Sequence, residues 1–127
     1  MSRFLLAAIA AAFALAGALP QAFAQTYPNR PITLIVPFPP GGSTTVVARI
    51  IGEKMSETIG QPVVIDNRGG AGGTVGTRSA AKSAPDGYTI LLSYTATMAI
   101  GPNLQAAAGY DPRKDFAPIG ESDRRRW

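Results

Sequence analysis

Three short runs rich in small hydrogen-bonding residues follow apolar stretches, and the first two of them lead into a helical pattern. Gly41, Gly42, Ser43, Thr44 and Thr45 form the first; Arg68–Thr74, with four glycines around Ala71, forms the second; Tyr94, Thr95, Ala96 and Thr97 form the third. Glycine lets a bound group come close to the main chain. The first N–H groups of a helix lack intrahelical partners and sit at the positive end of the helix dipole. Hydroxyls from Ser43, Thr44, Thr45, Thr74, Thr95 and Thr97 could add donors. The chemistry this suits is capture of a carboxylate or other small anion by neutral donors. The competing reading is a tight turn followed by an N-cap hydroxyl. For the first run alone the two readings stand level, and recurrence of the pattern favours binding.

Composition narrows the field. The 127 residues contain no histidine and no cysteine, which removes the commonest metal ligand, the commonest general base and all thiolate chemistry. No catalytic residue, metal site or cofactor is expected. The formal charge of +4 owes much to Arg3 and to Arg124, Arg125 and Arg126, so the basic residues form no nucleic-acid footprint. A dinucleotide reading of the second run fails on spacing, since Gly70 and Gly72 would require a third glycine where Val75 stands. Arg68 could clamp an anion or pair at the surface, with surface pairing the commoner outcome for such a residue. Arg49 belongs to a solvated helix face, and Tyr94 to the core or to a cleft wall. A small secreted α/β enzyme is the alternative of another class, without a nucleophile–base constellation to support it.

Elements must position these runs. Residues 1–24 read as a secretory signal peptide: Arg3, then an Ala-rich apolar run, then Ala22-Phe23-Ala24 as the cleavage pattern. Ile32–Phe38 is β-branched and apolar almost throughout, as a strand covered on both faces would be. From Thr44 the period changes. Val47, Ile51 and Met55, with Ile50 and Ile59, mark the expected buried face of a helix, and Arg49 and Glu53 an i,i+4 pair opposite. Gly60 ends it, with Pro62 beyond. Pro62–Asp66 reads as a second buried strand, a short helix runs through Arg78, Ala81 and Lys82, Pro85–Tyr88 as a turn, and Thr89–Ser93 as a third strand. Strand–helix–strand–helix–strand implies an α/β fold with a parallel sheet. In such sheets ligands sit outside the carboxyl ends of the strands, where all three runs fall.

The segments YPNRPITLIVPFPPGGST, GQPVVIDNRGGAGGTVG, APDGYTILL and YDPRKDFAPIG resemble the opening of the Bug receptors. These are the TctC-family substrate-binding proteins of tripartite tricarboxylate transporters. The resemblance covers Tyr27 to Gly120. It implies a type II periplasmic-binding-protein fold, of which this chain would be the parallel-sheet part of the first lobe, truncated before the second. It implies a periplasmic receptor for a small organic acid, working with the membrane components of a transporter. Carried over, the ligand residues are Gly41, Gly42, Ser43 and Thr44, then Ala71, Gly72, Gly73 and Thr74, with Thr95 and Thr97 contributing. The family commonly carries an aspartate where this chain has Thr45. The expected organisation is a signal peptide over 1–24, a partial receptor lobe over 25–120 and an aberrant charged tail over 121–127. A non-functional truncated product is a further alternative.

Overall fold

The computed structural model describes residues 26–104 and 108–121. The expected signal peptide lies outside the described residues, as does all of the charged tail except Glu121. Three strands form one parallel sheet: β1 (Ile32–Val36), β2 (Val63–Asn67) and β3 (Thr89–Leu91), in the order β2-β1-β3. Helix α1 (Ser43–Ile59) connects β1 to β2, and a 3-10 turn (Ala71–Gly73) with α2 (Thr74–Ala81) connects β2 to β3. A π-helical turn (Ala96–Ile100) and the short α3 (Gly101–Leu104) follow β3.

The apolar run beginning at Ile32 becomes the central strand because it alone has partners on both edges. Leu34 pairs in register with Ile65 on one side and Ile90 on the other, so these side chains share a face. Leu34, Val36 and Ala48 form the core there, with Val63, Ile65, Ile90 and Leu92 packed around them. Strand β1 ends at Val36 rather than Phe38, since Pro37 brings no N–H to continue a ladder.

Several expectations for α1 and β2 need correction. The buried face of α1 is not the stripe of large apolar residues. Thr45, Ala48 and Gly52 face the sheet, whereas Val47 and Ile50 are 42% and 59% exposed. A Cβ on Gly52 would lie 3.1 Å from Ile65 Cδ1, so small residues are what let the helix settle on the strands. The ion pair on this helix is Lys54–Glu57, at 2.7 Å, in place of Arg49–Glu53. Strand β2, expected to be buried, is an edge strand with Val64 exposed, and it runs one residue further, to Asn67. The helix stop at Gly60 stands as expected: its φ is +69°, and its N–H donates to Ser56 O at 3.0 Å.

Candidate functional site

The order β2-β1-β3 means that the chain leaves β1 towards one edge and returns to the other. In open α/β sheets such a reversal of winding marks where ligands sit, beyond the carboxyl ends of the strands. The three runs meet there around Pro37. A Cβ on Gly76 would fall 2.8 Å from Pro37 Cα, and one on Gly73 would fall 3.2 Å from Pro37 O and 2.7 Å from Thr97 Cγ2. A Cβ on Gly69 would meet Pro39 Cδ at 2.8 Å. The loops thus touch through backbone and proline rings, at distances only glycine permits.

In the first loop Gly41 has a φ of +92°, and Gly42 is the N-cap of α1 with no side-chain cap hydrogen bond. This settles one alternative: no hydroxyl caps the helix, and Ser43 and Thr44 lie inside its first turn. Gly41, Gly42 and Ser43 are exposed, and nothing stands within 4 Å of a Cβ built on either glycine. Thr45 differs. It is 3% exposed, and its Oγ1 accepts a hydrogen bond from Asn67 Nδ2 at 3.0 Å.

The second loop turns through four consecutive positive φ angles, at Gly70 (128°), Ala71 (47°), Gly72 (64°) and Gly73 (94°). Ala71 is the non-glycine among them, and left-handed backbone at such a residue costs about 1–2 kcal/mol. Gly73 caps α2, again without a side-chain cap bond. Ala71 and Gly72 are exposed, while Gly73 and Thr74 are buried. Arg68 pairs with Asp66 at 2.7 Å and donates to Ser79 Oγ. Its guanidinium is thus engaged at the surface, the outcome favoured over an anion clamp.

The third run is helical rather than a loop, since the π-turn begins at Ala96. Thr97 is 1% exposed; its hydroxyl donates to Tyr94 O at 3.0 Å and accepts from Tyr94 N at 3.3 Å. Thr95 is exposed. The Tyr94 ring meets Phe38 edge-on with centroids 5.1 Å apart, joining this run to the first loop. A residue not anticipated, Tyr110, locks the arrangement from behind. Its phenol donates to Thr97 O at 2.5 Å, beside the hydroxyls of Thr77 and Thr74. Burial raises the Tyr110 pKa above its ordinary value, against the opposing pull of those hydroxyls and of Arg78. Asn67 is the other residue that sequence reasoning passed over. Its carboxamide also donates to Phe38 O at 3.0 Å.

The expected site residues therefore fall into two sets. Gly41, Gly42, Ser43, Thr44, Ala71, Gly72 and Thr95 are exposed or half-exposed around the sheet edge, whereas Gly73, Thr74 and Thr97 are buried beneath them as support. The described residues offer no group of three or more acidic, cysteine or histidine side chains able to hold a metal ion. What the edge presents is neutral: exposed main chain at Gly41, Gly42, Ala71 and Gly72 beside two helix starts, with hydroxyls of Ser43 and Thr95 on the same edge.

Comparison with known proteins places this geometry. The model of the tripartite tricarboxylate transporter family receptor matches residues 47–125. The chain belongs to that family. It is 50% identical over 116 residues to the BugT protein of Bordetella pertussis, an alignment covering 91% of this chain and 36% of the relative. Among solved structures it resembles the periplasmic binding protein BugD, with 48% identity and a TM-score of 0.71, over 74% of this chain and 31% of that one. It also resembles MatC of Rhodopseudomonas palustris with bound malate, at 42% identity and a TM-score of 0.69, over 73% of this chain and 32% of MatC. The chain spans about a third of the length of the curated relatives it matches. The α/β reading and the family resemblance both stand on these findings.

Proposed function

We propose that this chain supplies the carboxylate-binding edge of an extracytoplasmic receptor that captures a small organic acid for a tripartite transporter. One observation carries the reading. Helices α1 and α2 start side by side at the sheet edge, and both are capped by glycine with no side-chain cap. The amides of Gly73, Thr74 and Val75 are spent within the turn, on Gly70 O, Ala71 O and Gly70 O, and Thr45 N donates to Gly42 O. The exposed main chain of Gly41–Ser43 and of Ala71–Gly72, beside the positive ends of both helix dipoles, is what a carboxylate would meet. Gly41, Gly42, Ser43 and Thr44 form one half of the grip, and Ala71, Gly72, Gly73 and Thr74 the other, with Thr95 and Thr97 at the third strand end. The relative solved with malate supports an organic acid as the ligand class. The neutral, histidine-free edge supports binding rather than catalysis. A periplasmic location follows from the leader expected over residues 1–24, with residues 25–120 as the receptor segment and 121–127 as a tail outside it.

Gly42 is the cleanest probe. Its φ of −80° suits any residue, and space around it is open, so a side chain there obstructs a ligand without straining the fold. Malate titrated into the isotope-labelled full chain is expected to shift the amide signals of Gly41–Thr44 and Ala71–Thr74. In Gly42→Leu the affinity should fall about tenfold or more, equivalent to about 1.4 kcal/mol, with the melting temperature unchanged. Shifts centred elsewhere, or equal affinities for the two proteins, would refute the assignment.

A further inference from the structure

We infer that Asn67 is the positioning residue that holds the first carboxylate-binding loop against the second. The inference rests on the reading of the two loops as a carboxylate grip. Asn67 is the last residue of β2, directly before the second loop, and lies in register with Val36 at the end of β1. Its carboxamide spends its donors on two separate parts of the first loop. One N–H goes to Phe38 O at the loop's start, and the other to Thr45 Oγ1 in the first turn of α1, each at 3.0 Å. Between those two anchors lie Pro39–Thr44, the stretch that holds Gly41 and Gly42. One planar group thus fixes both ends of the loop to the strand that launches its counterpart.

The rest of the junction explains why a side chain is needed here. Arg68 N donates to Val36 O at 2.8 Å, which joins the strand ends but stops short of the loop. Gly69 sits against the Pro39 ring, a contact at one point of the loop. Gly41 and Gly42 have open space where a Cβ would stand, so no close packing holds the loop tip there. Among the described residues, the polar tie from β2 to both ends of this loop is the Asn67 carboxamide. Thr45 is the matching acceptor, buried in the interface between α1 and the sheet. Loss of the carboxamide would strand Phe38 O and Thr45 Oγ1 in a half-buried gap.

Hydrogen exchange of the full chain, resolved by residue, tests this with no ligand present. Asn67→Ala should speed exchange across Gly41–Val46 roughly tenfold, the scale set by two lost hydrogen bonds. Leu34 and Ile35 should exchange as in the wild type, which separates local release from global unfolding. Thr45→Val removes one acceptor with little change of shape and should give a smaller increase over the same residues. Thr45→Ser retains the oxygen and should restore wild-type rates. Unchanged exchange over Gly41–Val46 in both Asn67→Ala and Thr45→Val would overturn the assignment, as would Thr45→Ser exchanging as fast as Thr45→Val. Malate added to the same samples gives a separate answer. Weakened malate shifts in Asn67→Ala, with shifts intact in Thr45→Ser, support the brace as a determinant of binding. A wild-type chain indifferent to malate would sink the carboxylate reading, while the exchange rates alone would still decide the brace.

Discussion

The two ends of the sheet are held together by opposite means. Where β1 and β3 begin, long side chains form the fastening. Tyr27 donates to Gly87 O at 2.7 Å, Tyr88 and Asn29 exchange hydrogen bonds, and Arg30 pairs with Asp86 at 2.7 Å while lying 4.1 Å over the Tyr88 ring. Where the strands end, the loops meet through glycines, prolines and short hydroxyl side chains. The difference follows from what each end must do. Under the proposed role, an edge that offers its main chain to a carboxylate would not also be covered by tyrosine and arginine. Its order has to come from close main-chain packing below the surface. Such packing tolerates almost no added volume, whereas a fastening of exposed side chains tolerates their removal.

The sharpest break of that comparison is one methyl group. A Cβ on Gly76 would lie 2.5 Å from Arg68 O and 2.8 Å from Pro37 Cα, both main-chain atoms that cannot rotate aside. Gly76→Ala should cost about 3 kcal/mol or more despite the better helix propensity of alanine. Gly52→Ala is its counterpart. It meets the ends of the Ile65 and Val63 side chains, at 3.1 and 3.4 Å, which can shift. There the propensity gain of up to about 1 kcal/mol offsets the crowding, and stability should change little. Urea denaturation of the two variants decides the matter: equal midpoints would mean that the loop edge is not packed as described.

The comparison also shows what sequence could reveal. Strand positions, the Gly60 stop and the Pro85–Tyr88 turn were legible because each is a local preference of backbone or burial. Gly87, for instance, takes a φ of +80° in that turn. The face of α1 was not legible, because large apolar residues signal burial in general. Which face meets the sheet depends on closeness of approach, and Ala48 and Gly52 allow more of it than Ile50 does. The candidate loops were visible as glycine and hydroxyl runs. Their supports were not, since Asn67 before Arg68 reads as a turn residue and Tyr110 lies 13 residues from the carbonyl it holds. The fastening at the other end joins residues 56 to 60 positions apart and appears only once β1 and β3 are neighbours.

Tyr110 sharpens the contrast, as a long side chain that supports the loop edge from behind. Tyr110→Phe removes the donor to Thr97 O and the contacts with Thr74 and Thr77. It should cost about 1–2 kcal/mol at neutral pH. The effect should depend on pH in a defined direction. The folded protein raises the phenol pKa, chiefly through burial, so it favours the protonated form. That contribution is present below the unfolded pKa of about 10 and is lost as pH rises through the folded value. Wild type and Tyr110→Phe should therefore converge in urea midpoint between about pH 10 and about pH 12. A gap that stays constant over that range would remove the phenol from the account.

The smallest effect is expected at the opposite end. Arg30 and Asp86 have side chains 58% and 42% exposed, so water and salt screen most of their attraction. The guanidinium over Tyr88 adds an exposed cation–π contact, while the Tyr27–Tyr88 ring contact, with centroids 5.1 Å apart, survives without it. Arg30→Ala should therefore cost about 0.5–1 kcal/mol, and less in high salt. Its place in the fold yields the stricter expectation. Arg30 precedes β1, and the candidate loops follow it, a full strand away. Exchange rates over Gly41–Val46 and the malate-induced shifts at both loops should match the wild type even as the urea midpoint falls slightly. Faster exchange at those loops in Arg30→Ala would show that the two ends are coupled through β1, and that the fastening at the strand starts helps to order the binding edge.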